Sequence, residues 1–419
     1  MHAPGRVRAR QGAKPAALMG GGLLVMGAAG YGFIALAGHT LSTADAAAVS
    51  ALYLLNNIIG PGIFSALEQE TSRTLAAGAG LAAVRRRAVV AGGILLAVLL
   101  AALGVAGPAL TRTALGGQWA LFAALVAGTA TSAAVYLVRG LLGGRRRFGG
   151  YAGTLAVEGL ARILPCVAIA LAGMPSAAAY GMVFAAGSAV AALAGLAALG
   201  TAEPDDGGSA QSMTRATAVL AGSTALSQLV ANLAPVVVAA RLVADTATAA
   251  AFAAAFVLVR VPLFVFSPVQ AMLLPTLTAA VTRGDTTAVR RALRLILTAV
   301  GLVGSAGVLL SVTVGPWATE VFFGAHVRLP RLLLGALGVG TLALMAAQVL
   351  QPALVALRRH RAATAAWALG SAVLTGLLFL PGDPLTAAVL GQILGSALVV
   401  CGMAGALVAG LRRIGADRP

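Results

Sequence analysis

Three charged side chains stand inside otherwise apolar stretches: Glu158 and Arg162 in one, and Arg260 in another. Burying a charge in hydrocarbon costs about 3 kcal/mol or more unless it meets a partner or water, so these residues point to chemistry first. Glu158 and Arg162 are four apart, which puts them on one helix face and in reach of each other. Two roles are open to them. They form a structural ion pair that locks the helix into its bundle, or they face a cavity, with Arg162 meeting phosphate and Glu158 carrying a proton. Arg260 lies about twelve residues from the outer end of its stretch, near mid-membrane, and snorkelling does not carry its head to either surface. It is expected to face a hydrated cavity, with a buried contact to backbone carbonyls as the alternative. Amides accompany these charges: Asn56 and Asn57 in the second stretch, and Gln228 and Asn232 in the seventh. An amide offers both donor and acceptor, which suits a sugar hydroxyl in the same cavity. Interhelical hydrogen bonding is the plainer use.

The elements that must position these residues are helices of membrane-spanning length. Twelve stretches are predicted, near residues 16–38, 46–66, 88–109, 119–141, 149–172, 176–199, 214–239, 248–273, 295–318, 332–357, 363–381 and 384–410. With the N-terminal tail counted as inside, basic residues gather on the inner side, in groups around Arg6 and Lys14, Arg85 to Arg87, Arg145 to Arg147, Arg290 to Arg294 and Arg358 to Arg361. Arg73, Arg139, Arg215, Arg283, Arg412, Arg413 and Arg418 join them. The outer segments hold only Arg112, Arg241, Arg328 and Arg331. Such alternation is what the positive-inside rule produces, and it predicts a multi-pass inner or plasma membrane protein with both termini in the cytoplasm. The basic clusters read as topology determinants that also meet anionic headgroups. Glu68 and Glu70, beside Arg73, read as interfacial.

Composition excludes an ordinary soluble domain: 59% of residues are hydrophobic, 10% are charged, and mean hydropathy is +0.95. A net charge of +17 would suggest nucleic acid in a soluble chain, but here the arginines sit in short loops, so no nucleic-acid partner is expected. Cys166 and Cys401 both fall in predicted spans, which implies no disulfide. The basic start and apolar run resemble a signal peptide, yet the run is too long, so an uncleaved first helix is expected. No G-x-x-x-x-G-K-[ST] loop is present. His2, His39, His326 and His360 are scattered over tails and loops. The chain is therefore expected to be no enzyme, with no catalytic residue, metal or cofactor.

The chain also repeats itself. "TADAAAVSALYLLNN" at 43–57 aligns with "TATAAAFAAAFVLVR" at 246–260, an offset of 203 that sets Asn57 against Arg260. An even number of spans per half makes the repeats parallel. The predicted class is an all-α polytopic membrane protein of about twelve helices in two parallel six-helix lobes, at 1–200 and 214–419. A polar cytoplasmic linker at 201–213 joins them.

Several stretches resemble the multidrug/oligosaccharidyl-lipid/polysaccharide (MOP) exporter superfamily, in particular polysaccharide and lipopolysaccharide biosynthesis flippases of actinobacterial type. They are "LYLLNNIIGPGIFSALEQETSR" at 52–73, "VRGLLGGRRRFGGYAGTLAVEGLARIL" at 138–164, "AAAFVLVRVPLFVFSPVQAMLLPTLT" at 253–278 and "QPALVALRRHRAATAAWALGS" at 351–371. The resemblance implies a V-shaped, MATE-like transporter that moves a lipid-linked saccharide of polyprenyl pyrophosphate type from the inner to the outer leaflet. Polysaccharide-assembly enzymes are implied as partners. A cation-coupled drug or metabolite antiporter on the same scaffold, and a non-transporting scaffold for polysaccharide assembly, stay open as alternatives.

Overall fold

The computed structural model describes residues 4–200, 213–263, 266, 277, 285–357 and 359–416. The predicted linker apart from Met213, and Pro268, Arg283, Arg358 and Arg418, lie outside the described residues. Twelve helices are long and apolar enough to cross a membrane, and no strand occurs among the described residues. The protein is a multi-pass, all-α membrane protein. In chain order the helices are α1 (Pro4–Thr40), α2 (Thr43–Ile59), a π turn (Gly60–Phe64), α3 (Ser65–Ala76), α4 (Leu81–Arg112), α5 (Trp119–Gly144), α6 (Phe148–Leu171) and α7 (Ala177–Leu199). There follow α8 (Met213–Arg241), α9 (Thr246–Leu258), α10 (Thr286–Thr313), α11 (Gly315–Phe323), α12 (Arg331–Ala356), α13 (His360–Leu378) and α14 (Pro384–Ala416).

The second span departs from its predicted bounds in an informative way. Pro61 has no N–H and crowds the carbonyl four residues back, so an α-helix cannot pass through it undisturbed. The chain answers with a π turn, closed by the Ser65 N–H to the Gly60 carbonyl, and then resumes as α3 as far as Ala76. The span therefore runs Thr43–Ala76 and takes in Glu68, Glu70 and Arg73, which sequence assigns to the interface. Likewise α4 starts at Leu81, so Arg85 to Arg87 lie on its first turns rather than in a loop.

The chain divides into two compact units, 1–225 and 226–419, with the border inside α8 rather than in the polar segment before it. Within the first unit α4 packs on α5, α5 on α7, α6 on α7, and α1 on α6. Within the second, α10 packs on α12, α12 on α14, and α13 on α14. The third, fourth, fifth and sixth spans of each unit thus pair in the same order, as a repeat requires. Close approach rests on small residues: a side chain at Gly159 would meet the backbone of Met26 and Val25 in α1, and one at Gly391 would meet the backbone of Leu374.

Several of the arginines that sequence assigns to the inner side make contacts of their own. Arg359 donates to the Ala406 carbonyl within α14, and Arg145 and Arg147 donate to the Leu199 and Ala198 carbonyls at the end of α7. A helix C-terminus carries carbonyls with no intrahelical partner and the negative end of the dipole, so a guanidinium is a natural cap. At the opposite polarity, Asp245, Asp285 and Asp383 accept backbone N–H bonds at the starts of α9, α10 and α14.

Candidate functional site

In the first unit, α5, α6 and α7 bring a charged cluster together away from water. Glu158 of α6 is 2% exposed and forms two ion pairs, to Arg162 at 2.5 Å and to Arg139 of α5 at 2.5 Å. Ser188 of α7 completes it, donating to Glu158 Oε1 at 2.7 Å and accepting from Arg162 Nη2 at 2.7 Å. Arg139, itself 2% exposed, also donates to the Thr154 hydroxyl and carbonyl. Arg162 is 14% exposed, donates to the Phe184 carbonyl, and lies 4.0 Å over the Phe184 ring. Gly187 makes the room: a side chain there would collide with the Arg162 stem.

Sequence pairs Glu158 with Arg162, and the structure forms that bond. It corrects the place of Arg139. Counted by sequence among the inner loop arginines, Arg139 is instead a fully buried residue of α5, because that helix continues through Leu141 and Leu142 to Gly144. Two guanidiniums and a serine hydroxyl thus take up both carboxylate oxygens of Glu158. That geometry suits a fixed counter-ion better than a proton carrier.

In the second unit the predicted residues of α8 meet Arg260. Asn232 Nδ2 donates to Gln228 Oε1 at 2.8 Å, as the four-residue spacing allows. That bond turns the Asn232 carbonyl oxygen toward Arg260, which donates to it from Nη1 at 3.3 Å. The guanidinium also lies 3.9 Å over the ring of Phe256, one helical turn earlier. Arg260 is 8% exposed. Its described partners include a side-chain amide and an aromatic face. Asn56 is buried, donates to the Leu52 carbonyl, and sits against Gly128, where a side chain would strike it. Asn57 is half-buried on the neighbouring position. Glu70 is buried and pairs with Arg73, and Glu68 accepts from the Tyr151 hydroxyl, so neither glutamate is a free interfacial group. Among the described residues, no three of His, Cys, Asp and Glu come together as metal ligands.

Solved structures share this architecture. An inward-facing multidrug resistance MATE family transporter of the MOP superfamily gives a TM-score of 0.70 at 14% identity, covering 93% of this chain and 94% of that one. The fold is that of the MATE transporters. VcmN, the MATE transporter of Vibrio cholerae in its bent form, gives a TM-score of 0.62 at 18% identity over 97% of this chain and 98% of that one. A MOP superfamily transporter from Pyrococcus furiosus gives 0.63 at 13% identity over 96% of each chain, and a reverse polarity of its binding pocket suggests a different function for it. No family model and no curated protein matches the sequence. On the MATE scaffold, then, this chain sets two clusters, one in each unit, and each contains a buried arginine.

Proposed function

We propose that the chain is a membrane transporter working by alternating access, and that it moves a lipid-linked oligosaccharide or polysaccharide precursor from the inner to the outer leaflet of the cell membrane, with both termini in the cytoplasm. One observation carries the choice of cargo. The spans from Met213 to Arg412 contain Arg260 but not a single Asp or Glu. A site for a cationic drug or a coupling cation needs a carboxylate, whereas a site for pyrophosphate needs a guanidinium. Arg260 can engage two phosphate oxygens at once through its planar fork, a geometry an ammonium does not reproduce. Asn232, oriented by Gln228, and Asn57 in the other repeat offer the donor and acceptor pairs that sugar hydroxyls use. Arg162, joined to a carboxylate that a second arginine already neutralises, adds basic character in the first unit. The P. furiosus relative supports treating charge sign as a guide to cargo on this fold.

A second reading, a cation-coupled drug or metabolite antiporter, is favoured by the multidrug resistance function named for the fold neighbours. One experiment separates the two. The protein is reconstituted in vesicles containing either a fluorescent polyprenyl-pyrophosphate saccharide or a trapped cationic dye. The proposal expects the lipid to cross leaflets faster than in protein-free vesicles and the dye to stay. Dye movement driven by a cation gradient, with a static lipid, would replace it with the second reading.

A further inference from the structure

Among the described carboxylates of the first unit, the ion pairs leave two: Asp45, which lies in the first turn of α2 and accepts from Ser42 and Gln118, and Glu68, which lies inside the second span. Glu70 is held by Arg73, and Glu158 by Arg139 and Arg162. Glu68 Oε1 instead accepts a 2.5 Å hydrogen bond from the neutral phenol of Tyr151 in α6. A phenol donates to a carboxylate and, by turning its hydrogen away, accepts from a carboxylic acid, so this bond survives in either protonation state. The groups that face Glu68 from the packed helices are Arg139 and Tyr136 of α5 and Tyr151 and Glu158 of α6. From α4, the contact with α3 is the apolar approach of Gly92 to Leu67.

A second observation concerns access. Tyr53, Asn57, Pro61, Ser65, Glu68 and Ser72 of the second span are all half-exposed. In a uniform α-helix, residues nineteen apart fall about 100° out of line, but the extra residue of the π turn absorbs about that angle and brings Ser72 back beneath Tyr53. The six therefore share one sector, while the half-exposed apolar residues Leu55, Ile58 and Ile63 lie off it. At 1.5 Å per residue the sector extends about 28 Å, close to the hydrocarbon thickness of a bilayer. Five of the six are polar, and polar side chains within a span turn to water or protein rather than to lipid, so this sector is where water would reach Glu68.

We propose that Glu68 takes up and releases a proton through this sector and that its state sets the charge of the first unit's interior. With Glu68 ionised, Arg139, Arg162, Glu158 and Glu68 sum to zero. With Glu68 protonated they carry one positive charge, and in that state the first unit, through Arg162, favours an anionic cargo. This part rests on the cargo reading above. The coupling is reciprocal by thermodynamic necessity: if protonation favours an anion, anion binding draws a proton onto Glu68 from the surrounding water. The role that sequence offers to Glu158 thus passes to Glu68, with Tyr151 as its positioning residue.

The test uses the full chain in detergent with a polyprenyl pyrophosphate lipid as probe. Infrared difference spectra and a pH indicator in weak buffer report on Glu68 directly. A pH step without lipid should raise a protonated-carboxyl band in the wild type that is lost in Glu68→Gln and shifted in its pH midpoint by Tyr151→Phe. Adding the lipid should draw protons from solution in the wild type and none in Glu68→Gln. Absence of the band in the wild type, or its persistence in Glu68→Gln, overturns the assignment to Glu68. A normal band with no binding of the pyrophosphate lipid overturns the cargo reading instead, so the two failures are distinct. Glu68→Asp, which keeps the carboxyl, should retain the band if loss in Glu68→Gln reflects chemistry rather than misfolding.

Discussion

Replacing Arg139 with leucine tests whether the buried cluster holds the first unit together. The guanidinium is 2% exposed, pairs with Glu158 at 2.5 Å, and donates twice to Thr154. Removing one member of a buried pair costs about 3–5 kcal/mol, because the remaining charge is left uncompensated. Glu158 keeps Arg162 and Ser188, so Arg139→Leu should fall at the low end, about 3 kcal/mol. Glu158→Leu leaves two guanidiniums facing one another and should cost about 5 kcal/mol. The double variant should cost less than the sum by about 1–3 kcal/mol, the coupling expected of direct contacts. Reversible unfolding in mixed detergent and SDS micelles, followed by tryptophan fluorescence, measures all three. Costs below about 1 kcal/mol, or additivity within about 0.5 kcal/mol, would refute the view that these charges stabilise each other.

Three further outcomes are expected. Reporter fusions that are active only in the cytoplasm should be active at 201–213 and at the C-terminus, and an inactive fusion at 201–213 would break the two-half topology. Asp383→Ala removes the N-terminal cap of α14 and should cost about 1 kcal/mol at neutral pH. Hydrogen bonds from Thr386 hold the Asp383 carboxyl below its ordinary range, so its contribution is present above that range and is lost as pH falls through the lowered value; thermal scans at neutral and strongly acidic pH should show the variant and wild type converging. Gly187→Leu should displace Arg162 and lower thermal stability more than Gly153→Leu, whose site is open; equal effects would argue against the seat described for Arg162.

Much of the architecture is legible in sequence because a bilayer imposes a single strong rule: spans are long and apolar, and arginine prefers one side. The four-residue spacings of Glu158 with Arg162 and of Gln228 with Asn232 likewise translate directly into contacts. Two failures share one cause. Arg139 reads as a loop residue because it stands near the end of a span, and the signal that it lies inside is the apolar Leu141 and Leu142 beyond it. Glu68 and Glu70 read as interfacial because the seven polar residues from Glu68 to Thr74 look like the end of a helix, yet each glutamate is accommodated by a partner. A linear hydropathy reading averages over such residues and cannot see that their partners come from other helices. Ser188 carries no sequence signal of its own, since a lone serine in a span is common and only the fold sets it beside Glu158. The π turn was foreshadowed only by Pro61, because a proline within a span announces a disturbance without specifying its form.

The central claim is that Arg260 recognises the pyrophosphate of a lipid-linked saccharide. The most direct measurement is binding of a polyprenyl pyrophosphate lipid and of a neutral glycolipid to purified wild type, Arg260→Ala and Arg260→Lys in nanodiscs. Losing a charge-assisted bidentate contact worth about 1.5–3 kcal/mol should weaken pyrophosphate binding by about tenfold to a hundredfold in Arg260→Ala, with partial recovery in Arg260→Lys. Binding of the neutral glycolipid should be the same in all three. Undiminished pyrophosphate binding by a folded Arg260→Ala, or an equal loss for both lipids, would contradict the account.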